Sequence, residues 1–353
     1  MSKYIASGTY GCVIKPNLNC NGTFGKSNTI SKFFFDEIDY INEKSIHKKI
    51  ENIDKKHEFT IKMVSSCKIS LTPEIKKKIN KLNLCDLKTD EIHQIIYEYG
   101  GYDLDIFFNK QSINFNKFNF YIFLQKFFNI FYGLSKLNKN DLIHFDIKIN
   151  NILYNINKEK FHIIDFGLLI SKLKLYTNHI VNSFKNNQHA FYPNDFNIIS
   201  YINNGIFYKN LNEYKLNSDL FILFINDEID IIKNNYKFNN NDPYLKEILD
   251  IYNYFKIDMF KNFDYKFFEK IFINKIDINK LCKDIAGKLD VYMLGLALYE
   301  ITIIIFTKFY NNPSIKKIPI ELFSLIKKML ILNPCKRISI HKAKTEYKAI
   351  MKV

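Results

Sequence analysis

The sequence predicts an α+β protein with two lobes, a small strand-rich one first and a large helical one after it. Three observations carry that expectation. Short strand-like runs crowd the N-terminal part and end at glycines. Apolar helical patterns dominate from Phe115 onward. Only 11 Gly and 7 Pro punctuate 353 residues, which favours long ordered elements. Residues 1–16 read as strand, Gly-containing turn, strand, and TISKFFF at 29–35 as a further strand. Ile38, Ile41, Ile46, Ile50 and Ile53 recur at helical spacing. IHQIIYEY at 92–99 is a strand broken by Gly100 and Gly101. A helix is expected from Phe115 to Leu137. Two short apolar runs follow, LIHFDI at 142–147 and FHIIDFG at 161–167. Residues 197–285 are mixed and Asn-rich, with the helical stretch PYLKEILDIYNYF, and the chain from Asp290 is helical.

Composition narrows the class. Hydrophobic residues make up 47% and aromatics 16%, which excludes a disordered chain. The net charge of +15 raises nucleic acid as a partner. The charge is almost all Lys, however, and it is dispersed; Arg, the usual reader of bases and phosphates, occurs once, as Arg337. No specific nucleic-acid partner is expected, and Lys76, Lys77 and Lys78 read as a solvated helix face. The six cysteines (Cys12, Cys20, Cys67, Cys85, Cys282, Cys335) form no CxxC pair. That pattern suits a reducing compartment and speaks against a zinc site or a disulfide framework. The N-terminus MSKYIASGTYG has no apolar signal core. The most apolar run, 291–306, contains Glu300 and falls short of the ~20 residues a bilayer span needs. It reads as a buried core helix, so the expectation is a soluble, cytoplasmic protein with no membrane partner.

The sharpest chemical signal is HFDIKINN at 144–151 followed by DFG at 165–167. Phosphoryl transfer needs a carboxylate to orient the attacking hydroxyl, hard oxygen ligands for Mg²⁺ and a cation on the phosphates. Asp146 has the type for the base, Asn151 and Asp165 for the metal ligands, and Lys148 for the transferred group.

These motifs resemble the eukaryotic-type protein kinase family, in order along nearly the whole chain. The resemblance implies one kinase domain over 1–353, with a small lobe at 1–99, a large lobe at 100–353, and 197–285 as an insertion in the latter. IASGTYGCV at 5–13 is similar to the family's Gly-rich loop, with Ala6 in place of its first Gly. By that resemblance Ala6, Ser7, Gly8, Thr9, Tyr10, Gly11, Cys12 and Val13 cover ATP, and Gly8 and Gly11 let backbone amides approach the phosphates. Lys32 in TISK matches the strand lysine of the α/β-phosphates. Its helix partner is Glu43, which shares a face with Ile46, Ile50 and Ile53; Glu37 is the alternative. IIYEYGG at 95–101 resembles the hinge, so backbone groups from Glu98 to Gly100 hold adenine and Tyr97 takes the gatekeeper position. DVYMLGLALYE at 290–300 resembles the central helix of the large lobe. NPCKRIS at 333–339 resembles the late Arg motif, whose Arg337 is expected to pair with an acid closing the activation segment.

Two departures stand out. Phe145 replaces the Arg usual between His and Asp, so a receiver for an activation-loop phosphate is missing. AFYPNDF at 190–196 is the nearest match to Ala-Pro-Glu, with Asp195 for the Glu. The resemblance implies ATP with Mg²⁺ or Mn²⁺ and protein substrates. Lys148, two residues after the base, implies Ser/Thr specificity. The Gly-loop text GTYGCVIKP, the Asn-rich composition and the HxDxK form resemble kinases of large DNA viruses of eukaryotes, which implies host cytoplasm or virion. Competing readings are a pseudokinase scaffold, a small-molecule kinase and a basic nucleic-acid-binding protein.

Overall fold

The computed structural model describes residues 3–8, 11–25, 28–80, 90–110, 112–175, 225–227, 229–230, 242–257, 285–331 and 333–353. They form a mixed α+β chain with two compact units. The first is Met1–Gly101 with His162–Gly167, the second Tyr102–Phe161 with Leu168–Val353.

The first unit is built on a five-stranded antiparallel sheet. Its strands are β1 (Lys3–Gly8), β2 (Gly11–Lys15), β3 (Thr29–Phe34), β4 (Met63–Ser70) and β5 (Glu91–Glu98), in the order β1-β2-β3-β5-β4. Strand alternation sorts β3 into two faces. Ile30 and Phe34 join Tyr40, Ile95 and Tyr97 in one core, and Phe33 joins Cys12, Ile14, Leu18, Ile69 and Ile92 in the other. Helix α1 (Glu37–Ile53) starts where the Asp36 side chain accepts from the Ile38 amide, and it covers the first face. Its buried residues are Tyr40, His47 and Ile50. Ile38 and Ile41, expected in its apolar stripe, are 68% and 54% exposed; the sheet meets only a narrow side of the helix, which the isoleucine spacing overshoots. Helix α2 (Pro73–Asn80) carries the lysine run, with Lys77 exposed and Lys76 paired to Asp90 at 2.6 Å.

The cysteine reading needs correction. Cys20 and Cys67 are joined in a disulfide, with Cα atoms 6.0 Å apart and 47 residues between them in sequence, and Cys12 is also disulfide-bonded. The pairing follows from the second sheet face. There the Leu18 backbone is held by Ser31 Oγ (2.8 Å) and by Gln94 Nε2 (2.7 Å), which brings the 17–25 loop beside β4. No local spacing announces such a contact.

The second unit is helical. Its short elements are β6 (Tyr102–Asp103), α3 (Leu104–Phe108), β7 (Leu142–Ile143), β8 (Ile152–Asn155) and β9 (Lys160–Ile163), the last crossing back to the first unit. Helix α4 (Phe120–Lys139) begins five residues later than the apolar pattern suggested, at the Asn119 cap. Phe115 and Phe118 lie before that cap in an aromatic cluster with Phe107, Phe120 and Phe123. After α5 (Lys172–Leu175) and α6 (Pro243–Ile257) comes α7 (Leu289–Lys308). Among the described residues α7 is the one helix long and apolar enough to cross a bilayer, and its apolar window is wholly buried. A Cβ at Gly295 would lie 2.9 Å from Met329 Cβ, so the glycine sets how closely α7 meets α8 (Glu321–Met329). Helix α9 (Ile340–Met351), capped by Ser339, closes on α4. Most of 197–285 lies outside the described residues. Its helix α6 is tied into the core, with Tyr299 donating to the Ile248 carbonyl at 2.7 Å and Tyr244 stacked on Phe306 at 4.9 Å.

Candidate functional site

The candidate residues fall into two groups, one in each unit. In the first unit, Gly8 pairs with Gly11, Ser7 with Cys12 and Ala6 with Val13, which makes 5–13 a hairpin. Its tip residues Thr9 and Tyr10 lie outside the described residues. Gly11 has a packing reason to be glycine, since a Cβ there would sit 1.8 Å from the Phe33 carbonyl oxygen. This close strand approach explains Gly11 without any ligand.

Lys32 is cross-strand from Val13 on β2 and Ile95 on β5, on the α1 face of the sheet. Its Nζ binds Glu43 Oε1 at 2.8 Å, with the two side chains 23% and 21% exposed. Glu37, the alternative partner, lies 3.6 Å from His93 instead, on a largely exposed side chain. The Tyr97 hydroxyl donates to the same Glu43 oxygen at 3.2 Å. That bond was not legible in sequence, where Tyr97 had only a positional role. Burial, then the nearby Glu43 and Asp165 carboxylates, push the Tyr97 phenol well above its usual range, so it stays a donor. Asp165 thus lies within electrostatic reach of Tyr97, and it sits at φ 60° in the left-handed region. In the stretch expected to hold adenine, the Glu98 amide donates to Lys62 O at 3.0 Å and the Tyr99 amide to Asn28 O at 2.8 Å.

In the second unit the loop between β7 and β8 carries Asp146, Lys148 and Asn151. Lys148 Nζ meets Asp146 Oδ2 at 2.9 Å and Oδ1 at 3.1 Å. Asn151 Nδ2 donates to Asp146 Oδ2 and to its backbone oxygen, both at 2.8 Å. The loop is held from below by Asp290, at the start of α7. It accepts from the amides of His144 (2.9 Å) and Phe145 (3.0 Å), one on each carboxylate oxygen. Burial pushes the Asp290 carboxyl up, against the pull of His144 and the two amides. Phe145 is buried at φ 74°, a conformation few bulky residues adopt. Such outliers persist where surrounding contacts impose them, often at functional sites; here Asp290 grips the amide of the strained residue itself.

Arg337 is 2% exposed. Its Nε donates to Ile331 O at 2.8 Å and its NH1 to Lys288 O at 3.2 Å, and its guanidinium lies 4.7 Å from the Tyr292 ring centre. Its expected partner Asp195 lies outside the described residues. Among the described residues no group of three or more His, Cys, Asp or Glu is placed to hold a metal. The expected Mg²⁺ set has only two protein oxygens, from Asn151 and Asp165, which are of the hard type that Mg²⁺ takes alongside phosphate oxygens. No protein-family model matches the chain, and no curated protein matches it.

Proposed function

We propose that this chain is a two-lobed, eukaryotic-type protein kinase that transfers the γ-phosphoryl group of ATP to Ser or Thr hydroxyls of protein substrates. The observation that carries this reading is the Asp146 carboxylate held between Lys148 and Asn151 on a loop pinned to Asp290. Lys32 bonded to Glu43 in the other unit supports it.

The chemistry follows from these groups. Asp146, fixed in orientation by Asn151, accepts the proton of the substrate hydroxyl. The hydroxyl oxygen bonds to the γ-phosphorus as the bond to the ADP oxygen breaks. Lys148 supplies positive charge beside the transferred group. Lys32, held by Glu43, takes the α- and β-phosphates. Asn151 and Asp165 would hold the metal. Mg²⁺ or Mn²⁺, when bound, neutralises phosphate charge. Phe145 offers no cation to an activation-loop phosphate, so basal activity is independent of such a mark.

Incubation with labelled ATP and Mg²⁺ against a peptide library tests the reading. Label on Ser or Thr peptides from the wild-type chain, and none from a folded Asp165→Ala chain, is expected. Transfer undiminished in Asp165→Ala, or no transfer by the wild type to any peptide, would overturn it.

A further inference from the structure

We propose that Tyr97 is a positioning residue that locks Glu43 onto Lys32 before any nucleotide arrives. This deepens the kinase reading of the same site and rests on it for its functional consequence. Two donors converge on one oxygen, Glu43 Oε1: Lys32 Nζ at 2.8 Å and the Tyr97 hydroxyl at 3.2 Å. The salt bridge alone joins two partly exposed side chains, each free to swing into water. Tyr97 is different. Its side chain is 5% exposed and its ring is packed with Ile30, Phe34, Tyr40 and Ile95. The His47 ring meets it edge-on at 5.6 Å. A phenol so placed has almost no rotamer freedom to lose, so its bond pins the carboxylate at small entropic cost.

His47 stands one turn after Glu43 on α1, and burial pushes its imidazole down toward the neutral form. It therefore brings no rival cation to the carboxylate. Among the described residues, the two donors bonded to Glu43 are then one cation that serves the phosphates and one neutral hydroxyl that holds the acid still. The hydroxyl, rather than the ring, is the working part.

Tyr97→Phe keeps the ring and removes the hydroxyl. Hydrogen bonds to charged groups are strong enough that its loss is expected to weaken binding of a fluorescent ADP analogue with Mg²⁺ about threefold to tenfold. Acylation of Lys32 in the nucleotide-free chain, read by mass spectrometry against exposed lysines, is expected to speed up by a similar factor. Both effects are expected to vanish in a Glu43→Ala background, where the hydroxyl has no acceptor at that position; a purely packing role would not depend on Glu43. Unchanged Lys32 acylation in folded Tyr97→Phe, or the same change with Glu43→Ala present, would overturn the inference. A wild-type chain that binds no nucleotide would remove the kinase reading, while the acylation arm would still decide the role of Tyr97.

Discussion

At the scale of single residues, the loop at 144–151 works by division of labour. Asp290 spends both carboxylate oxygens on backbone amides, which leaves Asp146 to be oriented from its other side by Asn151 and Lys148. Asp146→Asn keeps the size and most of the hydrogen bonding but cannot take a proton. Turnover is expected to fall about 10²–10⁴-fold, with nucleotide affinity nearly unchanged. Steady-state kinetics beside a nucleotide titration check this, and a variant with weak binding but normal turnover at saturation would contradict the role. These polar residues were legible in sequence because each carries its chemistry in its type and spacing. The Tyr97 bond to Glu43 was not. It joins residues far apart in the chain, and a tyrosine in an apolar strand looks like any other core aromatic.

At the scale of elements, Arg337 ties the turn before α7 to the segment between α8 and α9. Its Nε and NH1 reach carbonyls on both sides, of Ile331 and Lys288, and its plane covers Tyr292. A lysine ammonium has no planar face to lay on the ring, and it cannot offer two donors in those fixed directions. Arg337→Lys is therefore expected to destabilise the second unit by about 1.5–3 kcal/mol, the range for buried hydrogen bonds to a charged group. Denaturant melts check it; an unchanged midpoint would show these bonds to be dispensable. The sequence marked Arg337 by its rarity, and the burial bears out that it is not a surface charge. The carbonyls it binds were not readable, since backbone acceptors have no sequence signature. Helix α1 shows the opposite limit. Its isoleucine spacing foresaw a helix, yet which turns face the sheet depended on where the strand leads the chain in.

At the scale of the whole molecule, two units with separate cores respond to different chemistry. The Cys20–Cys67 bond lies wholly in the first unit, closing a loop that contains β3 and α1. Reduction is expected to cost that unit about 2–4 kcal/mol, mainly by freeing its unfolded chain. The second unit should be unaffected. Hydrogen exchange with and without reductant checks this: protection lost in β3 and β5 but kept in α4 and α7 is the expected pattern, and equal loss in both units would refute it.

The order of strands before helices, the polar residues of the 144–151 loop and the burial of the helix at 290–300 all came from the sequence alone. They are local properties, set by periodicity, residue type and spacing along one stretch of chain. Tertiary structure decided the rest: the disulfide, the strand at 63–70, the glycine at 11 as a strand contact, and the hydroxyl of Tyr97 on Glu43. Each of these joins segments that are distant in sequence. Such contacts form because a sheet brings backbone to within a few ångströms of backbone, and nothing in either segment by itself records which partner will arrive.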